Sequence, residues 1–130
     1  MLGLNAQSRY YLYNQSADMR KSFDGLSGLV RNHLKGDPSD GSVYIFLNRN
    51  RSIIKLLVYD RSGYAIYSKR LERGSFERPP NESGNTGSHS LRWEELMMIL
   101  EGISLRSVRR RKRYEKPAVA IGVERQGASS

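Results

Sequence analysis

The sequence predicts an α+β fold, a small antiparallel β meander packed with two main helices and followed by a basic C-terminal tail that is expected to be disordered. Three observations carry this. Runs of β-branched and aromatic residues at 43–47, 53–59 and 64–71 are separated by polar turns short enough for neighbouring strands to pair. Apolar residues recur at helical spacing once before these runs and once after them. Beyond position 105 cations dominate and large apolar side chains are too few to pack.

In chain order, Arg9-Tyr10-Tyr11-Leu12-Tyr13 reads as a short first strand that stops at the turn and cap residues Asn14-Gln15-Ser16. From Asp18, Met19, Phe23, Leu26, Val30 and Leu34 follow at steps of four and three, which aligns them along one helical face. Gly36-Asp37-Pro38 is the expected end of that helix. Gly25 and Gly28, within it, are expected to allow close packing on the sheet. Val43-Tyr44-Ile45-Phe46-Leu47 has the composition of a strand buried on both faces. Ile53 to Tyr59 and Tyr64 to Leu71 complete the meander through turns at 48–51 and 60–63. The stretch 74–90, with Pro79 and Pro80 and Gly74, Gly84 and Gly87, reads as a long mobile loop. Ser90 is the expected cap of a second helix carrying Trp93, Leu96, Met97 and Leu100 on one face and ending at Gly102. Residues 1–104 thus form one expected α+β domain with a mobile loop at 74–90, and 105–130 a basic arm and disordered tail.

Length and composition narrow the class. A chain of 130 residues supports one core, burying roughly 65 to 70% of the surface its unfolded form exposes. There is no cysteine, which excludes disulfides and thiolate metal sites and points to an intracellular protein. No apolar run approaches a membrane span, and the first ten residues lack the features of a signal peptide, so a cytoplasmic, nucleoid-associated protein is expected. The net charge of +9 favours a polyanionic partner, with nucleic acid ahead of an anionic membrane or an acidic protein.

Residues that would carry catalysis do not assemble in the sequence. A two-metal site for phosphoryl transfer needs a trio of carboxylates to hold its ions. Asp18, Asp24, Asp60, Glu94, Glu95 and Glu101 are read instead as capping or solvated groups. His33 and His89 lack metal-ligand spacing, and Gly25-Leu26-Ser27-Gly28 lacks the position and the Lys-Ser/Thr ending of a phosphate loop. No catalytic residue, metal or cofactor is therefore expected.

The cations form two groups. Arg49, Arg51, Lys55, Arg61, Lys69, Arg70 and Arg73 accompany the meander and suit either phosphate binding or a solvated edge protected from aggregation by its charge. Arg106, Arg109, Arg110, Arg111, Lys112 and Arg113 form a second group, a segment able to lie along phosphates. Tyr10, Tyr11, Tyr13, Tyr44, Tyr59, Tyr64 and Tyr67 invite comparison with a base-stacking surface, but their place within strands favours half-buried core positions.

Three segments, Ser16-Ala17-Asp18-Met19-Arg20-Lys21-Ser22-Phe23-Asp24-Gly25-Leu26, Ile54-Lys55-Leu56-Leu57-Val58-Tyr59-Asp60 and Tyr67-Ser68-Lys69-Arg70-Leu71-Glu72-Arg73-Gly74-Ser75-Phe76, together with Leu100-Glu101-Gly102-Ile103, resemble one family. It is the IS-66-type insertion-sequence accessory protein, often called TnpB or Orf2-like, and the similarity covers about residues 5 to 114. The resemblance implies a bacterial protein encoded beside a larger transposase and needed for efficient transposition. It supplies no agreed catalytic residues and is distinct from the much larger RNA-guided nucleases that share the name TnpB. Ser22 stands where the family often has glycine, Val58 where it often has an aromatic, and the 74–90 loop differs from many members.

The expected function is a noncatalytic accessory factor for transposition that binds DNA, helps assemble the transposase complex, or both. DNA, the transposase and other proteins of the same element are the expected partners, and no membrane is involved. The alternative is a protein adaptor for the transposase that never touches DNA.

Overall fold

The computed structural model describes residues 4–79 and 87–102. It is an α/β/α arrangement with one five-stranded sheet at its centre. The elements are β1 (Tyr10–Ser16), α1 (Phe23–Leu29) continuing as a wider π-turn over Val30–Leu34, β2 (Val43–Leu47), β3 (Ile53–Asp60), β4 (Gly63–Arg70), β5 (Ser88–Leu91) and α2 (Trp93–Glu101). The expected meander is β2, β3 and β4, antiparallel in the order read from the sequence. Strand order across the sheet is β4-β3-β2-β1-β5, mostly antiparallel, with one parallel pair, β1 with β2.

Alternation along the strands divides the core between two faces, because successive side chains point to opposite sides. Tyr10, Leu12, Val43, Ile45, Leu56 and Val58 meet Leu96 and Ile99 of α2 on one face. Tyr13, Tyr44, Phe46 and Leu57 meet Leu26 and Val30 on the other. All five β2 residues are buried, as expected of a central strand covered on both sides.

Several local expectations are corrected. The first helix does not start at Asp18. The Asp18 carboxylate accepts the Arg20 N–H at 2.9 Å, a local turn that competes with helical hydrogen bonding, and the helix begins five residues later at Phe23. Its C-terminal end uses Lys35 in the left-handed region (φ 58°), and Gly36 follows with its N–H donated to the Val30 carbonyl. Gly25 and Gly28 do not bring helix and sheet together. A Cβ at Gly25 would meet the Lys21 side chain at 2.9 Å, and one at Gly28 would meet nothing.

Ser90 lies within β5, opposite Tyr11, so it does not cap α2. Arg92 holds that place, and its N–H donates to Glu95 Oε1 at 3.0 Å. Gly102 ends α2 in the left-handed region (φ 81°), as expected. The stretch read as a loop over 74–90 therefore includes most of a strand. At its other end Phe76 is 1% exposed, its N–H donates to the Arg51 carbonyl and its own carbonyl accepts from Arg51 Nε. Residues 80–86 and the arm and tail from 103 to 130 lie outside the described residues.

Candidate nucleic-acid interface

The strand directions create two chemically different ends. β1, β2 and β4 finish where β3 and β5 begin, so segments 14–22, 48–52 and 70–79 share one end of the sheet. These segments carry seven cations (Arg20, Lys21, Arg49, Arg51, Arg70, Arg73 and Arg78) against three acids (Asp18, Glu72 and Glu77). At the other end, segments 4–9, 35–42, 60–63 and 92–95 carry four cations and five acids. Of the meander cations, Arg49, Arg51 and Arg73 lie on connections at this end, Lys69 and Arg70 close the edge strand β4 there, and Lys55 lies near the start of β3. Arg61 is the exception, in the β3–β4 turn at the opposite end with φ 63°.

At the basic end some cations hold the backbone and others face water. Lys55 projects from β3 on the α1 side, and its Nζ donates to the carbonyls of Met19 at 2.9 Å and Lys21 at 3.0 Å. This ties the segment before α1 down to the sheet. Lys69 projects from β4 on the other side, and its Nζ donates to the Leu100 carbonyl at 2.9 Å. A cation at a helix C-terminus meets unpaired carbonyls and the negative end of the helix dipole, which explains the docking. Arg51 binds the Phe76 carbonyl, and its left-handed backbone (φ 58°) turns the chain between β2 and β3.

Arg78, which the sequence reading did not select, donates to the Tyr13 carbonyl at 3.0 Å. Partial burial, followed by the charge of Arg51, lowers its pKa from the ordinary arginine value. Two guanidiniums are thereby held close together by main-chain oxygens, adding to the positive field at this end. Arg20 is committed to Asp18 at 2.7 Å, an exposed pair in which the guanidinium hydrogen bonds draw the Asp18 carboxyl down to about 2. The side chains of Lys21, Arg49, Arg70 and Arg73 are exposed and have no hydrogen-bond or ion-pair partner among the described residues. A shallow depression beside Arg49 is lined by Ala17, Asp18, Met19, Asn48 and Asn50.

Arg106, Arg109, Arg110, Arg111, Lys112 and Arg113 lie outside the described residues, but the point from which their segment departs is described. The Lys69 bond holds Leu100 beside the C-terminal end of β4, so the chain leaves Gly102 next to the basic end. Arg106 is four positions beyond Gly102, a reach of at most about 14 Å.

Other chemistry finds no assembled site. Among the described residues no three His, Cys, Asp or Glu side chains come together as metal ligands. Asp18 and Asp60 sit at opposite ends of the sheet, and His33 packs beside Tyr13 while His89 pairs with Leu12 in β5. No helix among the described residues is long and apolar enough to cross a membrane.

The signal that would have exposed this division was the alternation of faces. Lys55 and Lys69 interrupt otherwise apolar or half-buried strand positions, where a long stem packs and its head reaches a fixed partner. Arg78 sits between Phe76 and Pro79, both buried, in a segment whose composition suggests only a loop.

The family described as "IS66 Orf2 like protein" matches residues 8–110. Uncharacterized protein y4hO of Sinorhizobium fredii is 32% identical over 106 residues, covering 82% of this chain and 90% of that one. Uncharacterized protein y4jC of the same organism is 28% identical over 111 residues, covering 85% and 92%. No solved structure matches. With the match spanning β1 through α2, the chain belongs to the IS66 Orf2-like family, proteins of insertion sequences with an accessory association with transposition.

Proposed function

We propose that this chain is a noncatalytic accessory factor that holds DNA for transposition of its insertion sequence, gripping phosphates with the basic end of the sheet and with the arm. The observation that carries the reading is the gathering of exposed cations at one end of the sheet, the same end at which the described chain stops, four positions before the second cation group. The strand order gathers Arg49, Arg70 and Arg73 at one end, and the Lys69–Leu100 hydrogen bond holds the C-terminal end of α2 beside them. Exposed cations drawn from separate segments raise the local concentration of a polyanion and release its counterions on contact.

In this reading Arg49, Arg70, Arg73, Arg106, Arg109, Arg110, Arg111, Lys112 and Arg113 supply phosphate contacts, joined by Lys21. Arg51, Lys55 and Lys69 fix the shape of the surface, because their donors are occupied by carbonyls. The transposase and the other proteins of the element are the protein partners, and the protein works in the cytoplasm at the nucleoid.

The test is binding of the full chain to duplex DNA from the element's terminus and to scrambled duplex across a salt series. A variant with Arg109, Arg110, Arg111, Lys112 and Arg113 replaced by Ala is measured in parallel. Salt-sensitive binding that weakens in the variant is expected, and a preference for the terminal sequence would add base contacts to phosphate contacts. Absence of binding at moderate salt, with capture of the transposase intact, overturns the reading in favour of an adaptor that does not touch DNA.

A further inference from the structure

We infer that the nucleic acid held at the basic end is duplex DNA, gripped through its backbone, and not a single strand. The inference rests on the DNA-holding reading above and concerns which form of DNA that surface takes.

Proteins that hold single strands combine a basic groove with a succession of exposed aromatic rings on which bases stack. This chain is rich in tyrosine, yet most of the rings among the described residues turn inward or against one another. Tyr10, Tyr13 and Tyr44 are 1%, 6% and 3% exposed, and Phe76, the aromatic residue of the basic 70–79 segment, is 1% exposed. Tyr11 stacks on Tyr44 at 5.7 Å between ring centres, and Tyr59 meets Tyr64 edge-on at 5.1 Å.

Two large rings among the described residues remain well exposed, Phe23 at 45% and Tyr67 at 40%. They cannot form one platform. Phe23 opens α1 on one face of the sheet, whereas Tyr67 shares the parity of Ala65, which packs on the α2 face. The side chains facing water at the basic end are polar or charged, with the cations Lys21, Arg49, Arg70 and Arg73 outnumbering the acids Asp18 and Glu72. Such a set contacts phosphates, and among the described residues the one well-exposed ring beside it, Phe23, cannot by itself provide the succession of rings on which unpaired bases stack.

The difference is measurable because the two forms of DNA differ in charge density. If all four cations contact phosphates, they contribute a slope of log K against log salt of about −3.6 on a duplex, at about −0.9 per contact, against about −0.7 per contact on a single strand.

The experiment is fluorescence anisotropy of the full chain with a labelled mixed-sequence duplex and, separately, with one of its strands, each across a salt series. The duplex is expected to bind at least about tenfold more tightly at equal salt and with the steeper slope. Phe23→Ala and Tyr67→Ala are expected to leave duplex affinity within about twofold, since paired bases stay stacked on one another and do not use these rings. A single strand bound as tightly as the duplex, or lost on removing either ring, overturns this inference while leaving the DNA reading in place. Failure of both forms to bind at low salt overturns both.

Discussion

Replacing Lys55 with Met separates the cations that build the basic end from those that face a ligand. Met keeps most of the apolar stem of Lys55 against the α1 face and removes the ammonium that donates to the carbonyls of Met19 and Lys21. A hydrogen bond from a charged group contributes about 1.5–3 kcal/mol net. Both carbonyls lie near the surface, where water replaces part of the loss, so a cost of about 2 kcal/mol is expected for the pair rather than the sum of two full bonds. For a domain of this size that lowers the melting temperature by roughly 8–16 °C. Arg70→Met makes the same change in charge, fifteen positions along, at a side chain without a partner, and its effect on stability should stay within about 0.5 kcal/mol. Urea or thermal unfolding followed by circular dichroism reads both variants. Equal stability of Lys55→Met and the parent, or equal destabilisation by Arg70→Met, would refute the division between shape-holding and ligand-facing cations.

Other outcomes follow from single contacts. Phe76→Ala should cost about 3–5 kcal/mol, measured by urea unfolding, because the ring is buried and the 70–79 segment hangs on it. Gly102→Ala should destabilise by about 1 kcal/mol, and Arg61→Gly should stabilise by up to about 1 kcal/mol, since each residue occupies a left-handed conformation. Burial first, then the Asp40 carboxylate that accepts its hydroxyl at 3.1 Å, raises the Tyr44 pKa above the ordinary value of 10.0. Its folded form holds the proton more tightly than the unfolded chain does, so its contribution is complete below pH 10 and declines above it. Unfolding midpoints taken at rising alkaline pH should therefore fall less steeply in Tyr44→Phe than in the parent.

The fold was legible in proportion to how local its determinants are. β2, β3 and β4 follow from runs of Val, Ile, Leu and Tyr joined by short polar turns, and each pairs with its neighbour in sequence. β5 escaped because Ser88-His89-Ser90-Leu91 has little intrinsic preference for a strand, and its pairing comes from the free edge of β1 more than seventy residues earlier. The parallel contact of β1 with β2 likewise depends on a helical crossover that no local window contains. The first helix was placed too early because Met19 matches the apolar spacing, whereas the Asp18 carboxylate prefers to close a turn on Arg20.

The candidate site divides in the same way. Composition locates the cations, but only the strand directions show that Arg49, Arg70 and Arg73 share an end while Arg61 sits at the other. Lys55 and Lys69 look like free charges in the sequence because the carbonyls they reach lie 31 to 36 residues away. Arg20 and Arg78 were passed over because each lies in a segment read as helix or loop.

The most direct test of the account compares the salt dependence of duplex binding by the parent chain and by a variant with Arg49, Arg70 and Arg73 all replaced by Ala. The account predicts an unchanged melting temperature, weaker binding, and a slope of log K against log salt shallower by about 2.7, from three phosphate contacts at about 0.9 each. An unchanged slope in a folded variant would contradict it, because the basic end of the sheet would then make no contact with DNA.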